Sequence, residues 1–345
     1  MGRGLAALSL LVLLAVGARA GCPFGFGGGL EDAEGGIKGT GRRLQQAGCN
    51  INTLAQQAVT APFVPANPLQ GQVDKYVKEV AWNVFQTGFP GFVPGLFKNG
   101  RLNSANVPLG GLLRLSFHDA GPFNRATGRG GANGSLRFEL GVKPNTNQNI
   151  IIAAGLCDRW RTMINNALAA DPKVPRGVQI SYADVYQLIG AAVVVAAGGP
   201  SKAEVYDPLP VGRRDALVAD NVAQMPGGGI SWNNLACLFL TNGYSLEELV
   251  ALSGAHELGF RQDRTTPMTA NPNSFTNEYF SAVINGARNL FNSDRVLWGN
   301  HARSNAAVQT FANNRAAFFT AFAKAYNKMG RMGATWQSYG AKLKA

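Results

Sequence analysis

Several shortages in the 345-residue sequence narrow the classes of protein that it can encode. It has only three histidines and no Cys-x-x-Cys spacing, so neither a zinc site built from these residues nor thiol redox exchange is indicated. It has no run of five or more Lys or Arg residues, although its formal net charge is +12. We therefore expect no nucleic-acid partner. The basic charge is interpreted as a soluble surface, with contact to an anionic matrix as the functional alternative.

Long apolar runs are also scarce. The longest, from Leu5 to Ala18, has about 14 residues, whereas a membrane-spanning helix needs roughly 20. It follows the basic Arg3 and precedes Ala-Arg-Ala at residues 18–20, a small-x-small pattern that signal peptidase accepts. We therefore predict that residues 1–20 are a cleaved signal peptide and that the protein is secreted, with a lumenal compartment as the alternative. We expect no membrane contact after cleavage.

The four cysteines are an even number in a compartment that is predicted to be oxidising, which favours two disulfides. Three pairings are open. We favour Cys22 with Cys49 and Cys157 with Cys237, because the first pair would bracket an N-terminal tail that is otherwise poorly anchored.

Composition divides the rest of the chain into three segments. Residues 21–66 form a Gly- and Pro-rich arm, residues 67–330 carry apolar side chains at helical spacing, and residues 331–345 form a C-terminal tail. Strand patterns of period two are scarce. The expected helical stretches are 73–84, 109–119, 149–168, 181–197, 231–240, 245–255, 275–290 and 305–328, and in the last of these Phe311, Phe318, Phe322 and Ala325 share one face. The sequence thus predicts a mainly α protein.

One candidate site combines a histidine with an arginine. Arg114 and His118 lie four residues apart in Leu-Arg-Leu-Ser-Phe-His-Asp, so on a helix they project from the same face. The permanent charge of Arg114 disfavours protonation of His118 and keeps this imidazole available as a base near neutral pH. A surface histidine with a chance arginine neighbour is the alternative.

The second candidate is His256, which follows an apolar helical stretch in Ala-Leu-Ser-Gly-Ala-His-Glu-Leu-Gly. Glycines on both sides suit a ligand histidine that is presented at a buried helix end, and a core histidine bonded to a carbonyl is the alternative. Together the two segments resemble the plant, fungal and bacterial haem peroxidase superfamily, which has Arg-x-x-Phe/Trp-His before Ser-Gly-x-His-x-x-Gly. The segment Ser-Tyr-Ala-Asp-Val-Tyr-Gln-Leu at 181–188 is similar to the branch of ascorbate and cytochrome c peroxidases.

This resemblance implies a two-lobed helical fold with one haem b per chain between the lobes, in a haem peroxidase domain at residues 67–330. It implies an oxidoreductase that uses hydrogen peroxide to oxidise a small reducing donor, by default a phenol, through a ferryl intermediate. Peroxide removal under oxidative stress would follow. The alternative is a non-catalytic haem-binding or haem-free protein of the same fold.

The resemblance also implies roles for single residues on the peroxide side of the haem. His118 would take the peroxide proton and pass it on, Arg114 would stabilise the developing charge, and Phe117 would precede the distal histidine as it does in secreted peroxidases. Asn145, six residues after Glu139, would accept the N–H of His118 with Glu139 behind it. Neighbouring asparagines at 147 and 149 leave this register open.

On the other side of the haem, the resemblance implies that His256 binds the iron and donates its second N–H to Asp294. A turn or cap role for Asp294 is the alternative. Met268 stands where the ascorbate and cytochrome c branch has a tryptophan, so we expect no aromatic radical there and no cytochrome c donor.

A calcium site is the last expectation from the resemblance. Asp119, Gly131, Asn133 and Ser135 are similar to the distal calcium site of secreted peroxidases, but Asn133 replaces an aspartate, which lowers the expected affinity. Both an occupied and an empty site therefore stay open. At the corresponding proximal cation site, Glu257 and Thr276 replace the usual threonine and aspartate.

Overall fold

The computed structural model of the protein describes residues 49–89, 93–140, 147, 150–222, 225–261 and 265–344. The signal peptide predicted at 1–20, the arm up to residue 48, and the side chains of Cys22, Asn145 and Asn149 lie outside the described residues. Helices dominate the described part, and the prediction of a mainly α fold is confirmed. The helices are α1 (Ile51–Thr60), α2 (Gln72–Thr87), α3 (Leu109–Ala120), α4 (Ile151–Ala170), α5 (Tyr182–Ala196), α6 (Lys202–Val205), α7 (Trp232–Thr241), α8 (Leu246–Ser253), α9 (Glu278–Ile284), α10 (Asn292–Arg295), α11 (Ala302–Asn313) and α12 (Arg315–Met329).

The strands of the described residues are short and form two antiparallel pairs between α2 and α3. Strand β1 (Gly88–Phe89) pairs with β2 (Val93–Pro94), and β3 (Phe97–Lys98) pairs with β4 (Arg101–Leu102). Two single turns of 3₁₀ helix, Ser135–Phe138 and Gly254–Glu257, carry residues that matter for the site.

Polar side chains fix where several helices begin. The Ser181 hydroxyl accepts the N–H of Asp184 at the start of α5, and the Ser245 hydroxyl accepts the N–H of Glu248 at the start of α8. These bonds satisfy N–H groups that the first turn of a helix leaves without a partner. The starts of α5 and α8 therefore agree to within a residue with the sequence expectation.

The expectation of one helix over 305–328 is wrong. Asn314 adopts an extended backbone (φ −139°, ψ 95°) and its side chain caps α12 by accepting the N–H of Ala317 at 3.0 Å. Asparagine competes with helical hydrogen bonding through such local bonds, so it separates α11 from α12. The phenylalanine stripe is nevertheless core, because Phe311 and Phe318 still pack with ring centroids 5.9 Å apart.

Helix α5 is the centre of the core. Its residues from Ala183 to Val194 are all buried, and it packs along α3. Gln187 joins three helices: its side-chain amide donates to the Ser116 carbonyl on α3, and its own carbonyl accepts the Tyr326 hydroxyl of α12. These contacts hold α3, which carries the first candidate site, against the middle of the molecule.

The predicted disulfide pairing is wrong. Cys49 is bonded to Cys237, with Cα atoms 6.1 Å apart, and Cys157 is a free thiol buried in the core on α4. The reason is that part of the predicted arm is ordered: residues 51–60 form α1, which packs on α7 and brings Cys49 to that helix. Spacing along the chain could not show this contact across 188 residues.

Among the described residues, no single helix has the length and apolar composition to cross a membrane. Only the bent pair Trp232–Thr241 and Leu246–Glu257, taken together, meets those two criteria.

Candidate active site

A cavity of about 400 Å³ lies between two parts of the chain, residues 104–153 and residues 226–294. Its volume falls within the roughly 300–1,000 Å³ of typical ligand and cofactor pockets. Its wall is mainly apolar, and among the described residues its ionisable side chains are Arg114, His118, His256, Arg261 and Asp294. The two candidate histidines therefore border the same space.

Helix α3 presents Arg114 and His118 to this cavity, one turn apart. The Arg114 Nε–H donates to His118 Nε2 at 3.0 Å, and His118 Nδ1 lies 2.5 Å from Asn147 Oδ1. Because arginine only donates, Nε2 must carry the lone pair and Nδ1 the proton. Phe117 is also in the cavity wall, with its ring at a steep angle to that of His118.

His118 is held in the neutral form. Burial disfavours the charged imidazole, and the positive charge of Arg114 adds to this, so the pKa of His118 falls to about 3. The ring is 8% exposed. It is thus a neutral base whose unprotonated Nε2 accepts a hydrogen bond from a permanent cation.

The partner of His118 is Asn147, and the expectation of Asn145 in this position is wrong. The Asn147 side-chain nitrogen donates to Glu139 Oε2 at 2.8 Å, so its oxygen is directed to His118 Nδ1. Glu139 is thereby brought into the chain of bonds behind the histidine, as the spacing predicted. Asn147 lies eight residues after Glu139, whereas the family spacing gave six and pointed to Asn145. The length of the loop could not be read from the sequence, so the two asparagines could not be distinguished.

Sequence reasoning missed Asp220, which extends this network. The Asp220 backbone N–H donates to Glu139 Oε1 at 3.2 Å, and Asp220 Oδ2 accepts from the side chains of Asn133 and Ser135 at 2.9 and 3.0 Å. Ser135 Oγ also lies 2.9 Å from Glu139 Oε1. No motif marks Asp220 in the sequence, since it lies in a loop that is distant along the chain.

Three of the four residues expected to bind calcium, Asp119, Asn133 and Ser135, lie in or next to this network. Asp119 is fully buried, and its two oxygens accept the backbone N–H groups of Gly134 and Leu136 at 3.1 and 3.4 Å. Burial raises the pKa of Asp119 to about 8. Within the described part of the chain, no group of three or more His, Cys, Asp or Glu side chains has the arrangement of a metal site.

On the proximal side, α8 ends at Ser253 and the following turn presents His256 to the cavity. His256 Nδ1 lies 2.7 Å from Asp294 Oδ1. Burial disfavours the charged imidazole, but the Asp294 carboxylate outweighs it, so the pKa of His256 is raised. Asp294 also caps α10, because its Oδ2 accepts the N–H of Phe291 at 2.8 Å. The cap role and the contact with His256 therefore coexist.

Two glycines that flank His256 lie where a side chain would clash with a neighbour. A Cβ on Gly254 would lie 2.5 Å from the Phe318 ring. Gly259 has φ +98°, which favours glycine, and it packs against Gly110 of α3. A Cβ on Gly110 would lie 2.7 Å from the Gly259 Cα. These close approaches bring the turn that carries His256 against the helix that carries His118.

Glu257, which stands where the family's proximal cation site has a threonine, is bonded to protein donors. Its side chain accepts the Thr276 hydroxyl and the backbone N–H of Tyr279, both at 2.6 Å, and it is fully buried. Thr269 donates to its carbonyl oxygen at 2.9 Å. Sequence reasoning missed Tyr279, whose hydroxyl donates to Asp294 Oδ1 at 2.8 Å.

Comparison with known proteins gives concordant results. A family model described as "Peroxidase" matches residues 92–314. The chain is 32% identical over 229 residues to L-ascorbate peroxidase 5, peroxisomal, of Arabidopsis thaliana. The matched region covers 64% of this chain and 75% of that protein. It is 29% identical to the cytosolic L-ascorbate peroxidase 1 of Oryza sativa subsp. japonica (64% and 84%) and 31% identical to the chloroplastic L-ascorbate peroxidase T of Arabidopsis thaliana (65% and 55%).

These relatives correct the expected location. They are named as peroxisomal, cytosolic and chloroplastic proteins, so the prediction of a secreted protein is wrong. The basic start, the short apolar run and the small-x-small pattern resembled a signal peptide, and residues 1–20 lie outside the described residues.

Proposed function

The chain belongs to the haem peroxidase family and is an oxidoreductase that consumes hydrogen peroxide, and from this premise we propose that its donor is a small anionic reductant of the ascorbate type. We further propose that His118, Arg114 and Asn147 activate peroxide and that His256 binds the haem iron. The observation that carries the proposal is the cavity bordered by both histidines, each with its Nδ1 bonded to a protein acceptor.

The residues of the cavity fit a haem. Its lining is largely apolar, as the faces of a macrocycle require, and includes Leu235, Phe239 and Met268. His256 faces it with an Nε2 that has no hydrogen-bond partner among the described residues, while Nδ1 is bound to a carboxylate. A ligand imidazole with a carboxylate behind it is the usual arrangement for a histidine that binds iron.

Haem, when bound, supplies an iron that binds peroxide and the electrons that cleave its O–O bond. The protein side chains then move one proton. His118 Nε2 is an unprotonated base and can accept the proton of the inner peroxide oxygen and return it to the outer one, so that water leaves. The Arg114 guanidinium lies beside that nitrogen and stabilises the negative charge that develops on the outer oxygen.

Asn147 keeps His118 in the required tautomer. Its oxygen accepts a hydrogen bond from the Nδ1–H and its nitrogen donates to Glu139, so the amide cannot flip without losing both bonds. On the proximal side, Asp294 holds the His256 ring in the same manner and increases its basicity toward iron.

An anionic donor is favoured by the one other cation of the cavity wall among the described residues. Arg261 is partly exposed, its guanidinium lies 5.0 Å from the centre of the Phe291 ring, and its Nη1 is 3.5 Å from the Asn289 carbonyl. As far as the described residues show, these long contacts leave its charge available to an anion. The named relatives are ascorbate peroxidases, which favours ascorbate over the phenol expected from the sequence.

Steady-state kinetics with haem-loaded protein test this proposal. We expect turnover with ascorbate at a higher kcat/KM than with guaiacol, an uncharged phenol. Arg261→Gln should raise the KM for ascorbate by about tenfold, the equivalent of roughly 1.4 kcal/mol for a partly exposed charge, and leave the KM for guaiacol within twofold.

The matched control is Arg129→Gln, which removes the same charge from an exposed residue outside the cavity wall. Equal effects of the two variants would show that Arg261 acts only through net charge. Turnover of guaiacol but not of ascorbate would restore the phenol as donor, and absence of turnover with both would refute the assignment of His118 and Arg114.

Two finer expectations stay predictions. Removal of peroxide under oxidative stress is the expected role of such an activity. Calcium at Asp119, Gly131, Asn133 and Ser135 is tested by metal analysis of dialysed protein, where one calcium per chain would support the site and its absence would reject it.

A further inference from the structure

The Asp294 carboxylate accepts hydrogen bonds from two donors besides His256. Its Oδ1 accepts both His256 Nδ1 at 2.7 Å and the Tyr279 hydroxyl at 2.8 Å. Its Oδ2 accepts the Phe291 N–H at 2.8 Å. The carboxylate is 1% exposed, so it has almost no access to water. Its charge is therefore shared among three protein donors, two of them on the same oxygen.

Tyr279 is fixed at both ends. Its backbone N–H donates to Glu257 at 2.6 Å, and Glu257 is the residue directly after His256. Its ring is fully buried and meets the His256 ring edge to face, with centroids 6.3 Å apart. The bonded backbone and the buried ring thus hold the Tyr279 hydroxyl next to Asp294.

A second donor on one carboxylate oxygen weakens what that oxygen offers to the first. The Tyr279 hydroxyl withdraws part of the charge that would otherwise polarise the Nδ1–H bond of His256. The imidazole then has less anionic character, and its basicity toward a metal is reduced. Met268, a buried residue of the same cavity wall, has a thioether and no hydrogen to donate to Asp294.

We propose that Tyr279 is a positioning residue of the proximal site, whose hydroxyl holds Asp294 and limits how strongly Asp294 draws on the His256 N–H. The proposal rests on the proposed role of His256 as iron ligand for its consequence in the enzyme. The hydrogen-bond competition itself is a property of the protein without haem.

The first test uses the full chain without haem, labelled with ¹⁵N-histidine. In Tyr279→Phe, the Nδ1 proton of His256 should move downfield, because Asp294 Oδ1 then accepts one bond fewer. Tyr326→Phe is the matched control: it loses a buried hydroxyl of the same kind, bonded to the Gln187 carbonyl at 2.9 Å, and should leave that resonance in place. An unchanged or upfield resonance in Tyr279→Phe would overturn the proposal.

The second test measures the Fe(III)/Fe(II) reduction potential of the haem-loaded protein. Tyr279→Phe should lower it, since a more anionic imidazole favours ferric iron. The shift should vanish in the Asp294→Asn background, where no carboxylate charge remains to be shared. A shift of equal size in that background, or in Tyr326→Phe, would show a general packing effect and reject the proposal.

The two tests separate this inference from the proposed function. If His256 were not the iron ligand, the potential would not respond to Asp294→Asn, whereas the resonance of the haem-free protein would still move in Tyr279→Phe. If Tyr279 did not act on Asp294, the potential would respond to Asp294→Asn and not to Tyr279→Phe.

Discussion

At the scale of single residues, the proposed activity depends on the protonation state of His118. Both ring nitrogens are engaged, Nε2 by the Arg114 guanidinium and Nδ1 by the Asn147 oxygen. These two bonds allow one tautomer of the neutral ring, and burial keeps the ring from charging. The base is therefore prepared before any substrate enters.

Replacing Asn147 with alanine should slow the reaction with peroxide. The loss of the Nδ1 acceptor frees the ring and its tautomer, and support of this kind is worth about 10–100-fold in activity. Stopped-flow measurement of the second-order rate constant for peroxide checks this. Asn145→Ala serves as the control and should stay near the wild-type rate; the reverse ranking of the two variants would return the role to Asn145.

The rate of the peroxide reaction should show no ionisation of His118 between pH 8 and about pH 4. The folded pKa of about 3 lies below the ordinary value, so the base form is present above it and is lost only as the pH falls through it. In Arg114→Gln the acid limb should move to higher pH, because one cause of the lowered pKa is removed while burial remains. An acid limb near pH 6 in the wild type would disprove this assignment.

The site residues divide into those that local pattern could reveal and those that it could not. Arg114, His118 and His256 stand in short motifs, where helical spacing and flanking glycines carry the signal. Asn147, Asp220 and Tyr279 reach the site through loops or a distant helix, so their contacts depend on how the chain returns in three dimensions. These three residues support the motif histidines directly, as Asn147 does, or through Glu139 and Asp294, and none of them stands in a motif.

At the scale of elements, helix ends place the proximal site. The turn Gly254–Glu257 follows α8 and passes close to α12. This approach is possible because Gly254 has no side chain and the Phe318 ring occupies the space where a Cβ would lie. Helical periodicity predicted α8 well. It predicted the end of α11 poorly, because a single capping asparagine, Asn314, overrides the apolar stripe that continues across it.

Gly254→Ala should therefore destabilise the protein. A Cβ would lie 2.5 Å from the Phe318 ring in a packed core, and such overpacking costs about 1–3 kcal/mol. Gly155→Ala is the control: it lies on an exposed face of α4 with no atom within 4 Å of the added Cβ and should stabilise by about 0.5–1 kcal/mol. Chemical denaturation of both variants checks the signs, and a neutral Gly254→Ala would contradict the packing argument.

At the scale of the whole molecule, the cavity exists only when distant parts of the chain meet. Residues 104–153 supply Arg114 and His118, residues 226–294 supply His256 and Asp294, and the contact of Gly110 with Gly259 joins the two. The Cys49–Cys237 bond ties the residue before α1 to α7, which contributes Leu235 and Phe239 to the wall. The sequence shows four cysteines but does not show that Cys49 and Cys237 are the bonded pair.

Peptide mapping without reduction should recover Cys49 joined to Cys237 and Cys157 as a free thiol. Cys49→Ser should lower the free energy of unfolding by about 2–5 kcal/mol, because the bond closes a long loop in the unfolded chain. Dithiothreitol should lower the Tm of the wild type and leave that of Cys49→Ser unchanged. A linkage between Cys157 and Cys237 in the map would contradict the structure.

The proposed roles of His256 as iron ligand and of His118 as the base that activates peroxide can be read from absorption spectra. The spectra are those of haem-loaded wild type, His118→Ala and His256→Ala, recorded before and after one equivalent of peroxide. We expect a Soret band in the wild type that shifts within the mixing time, and a band in His118→Ala that shifts about 10²–10⁴-fold more slowly. We expect an altered, weakly held haem in His256→Ala. A His118→Ala variant that reacts at the wild-type rate, or a His256→Ala variant with the wild-type spectrum, would contradict these roles.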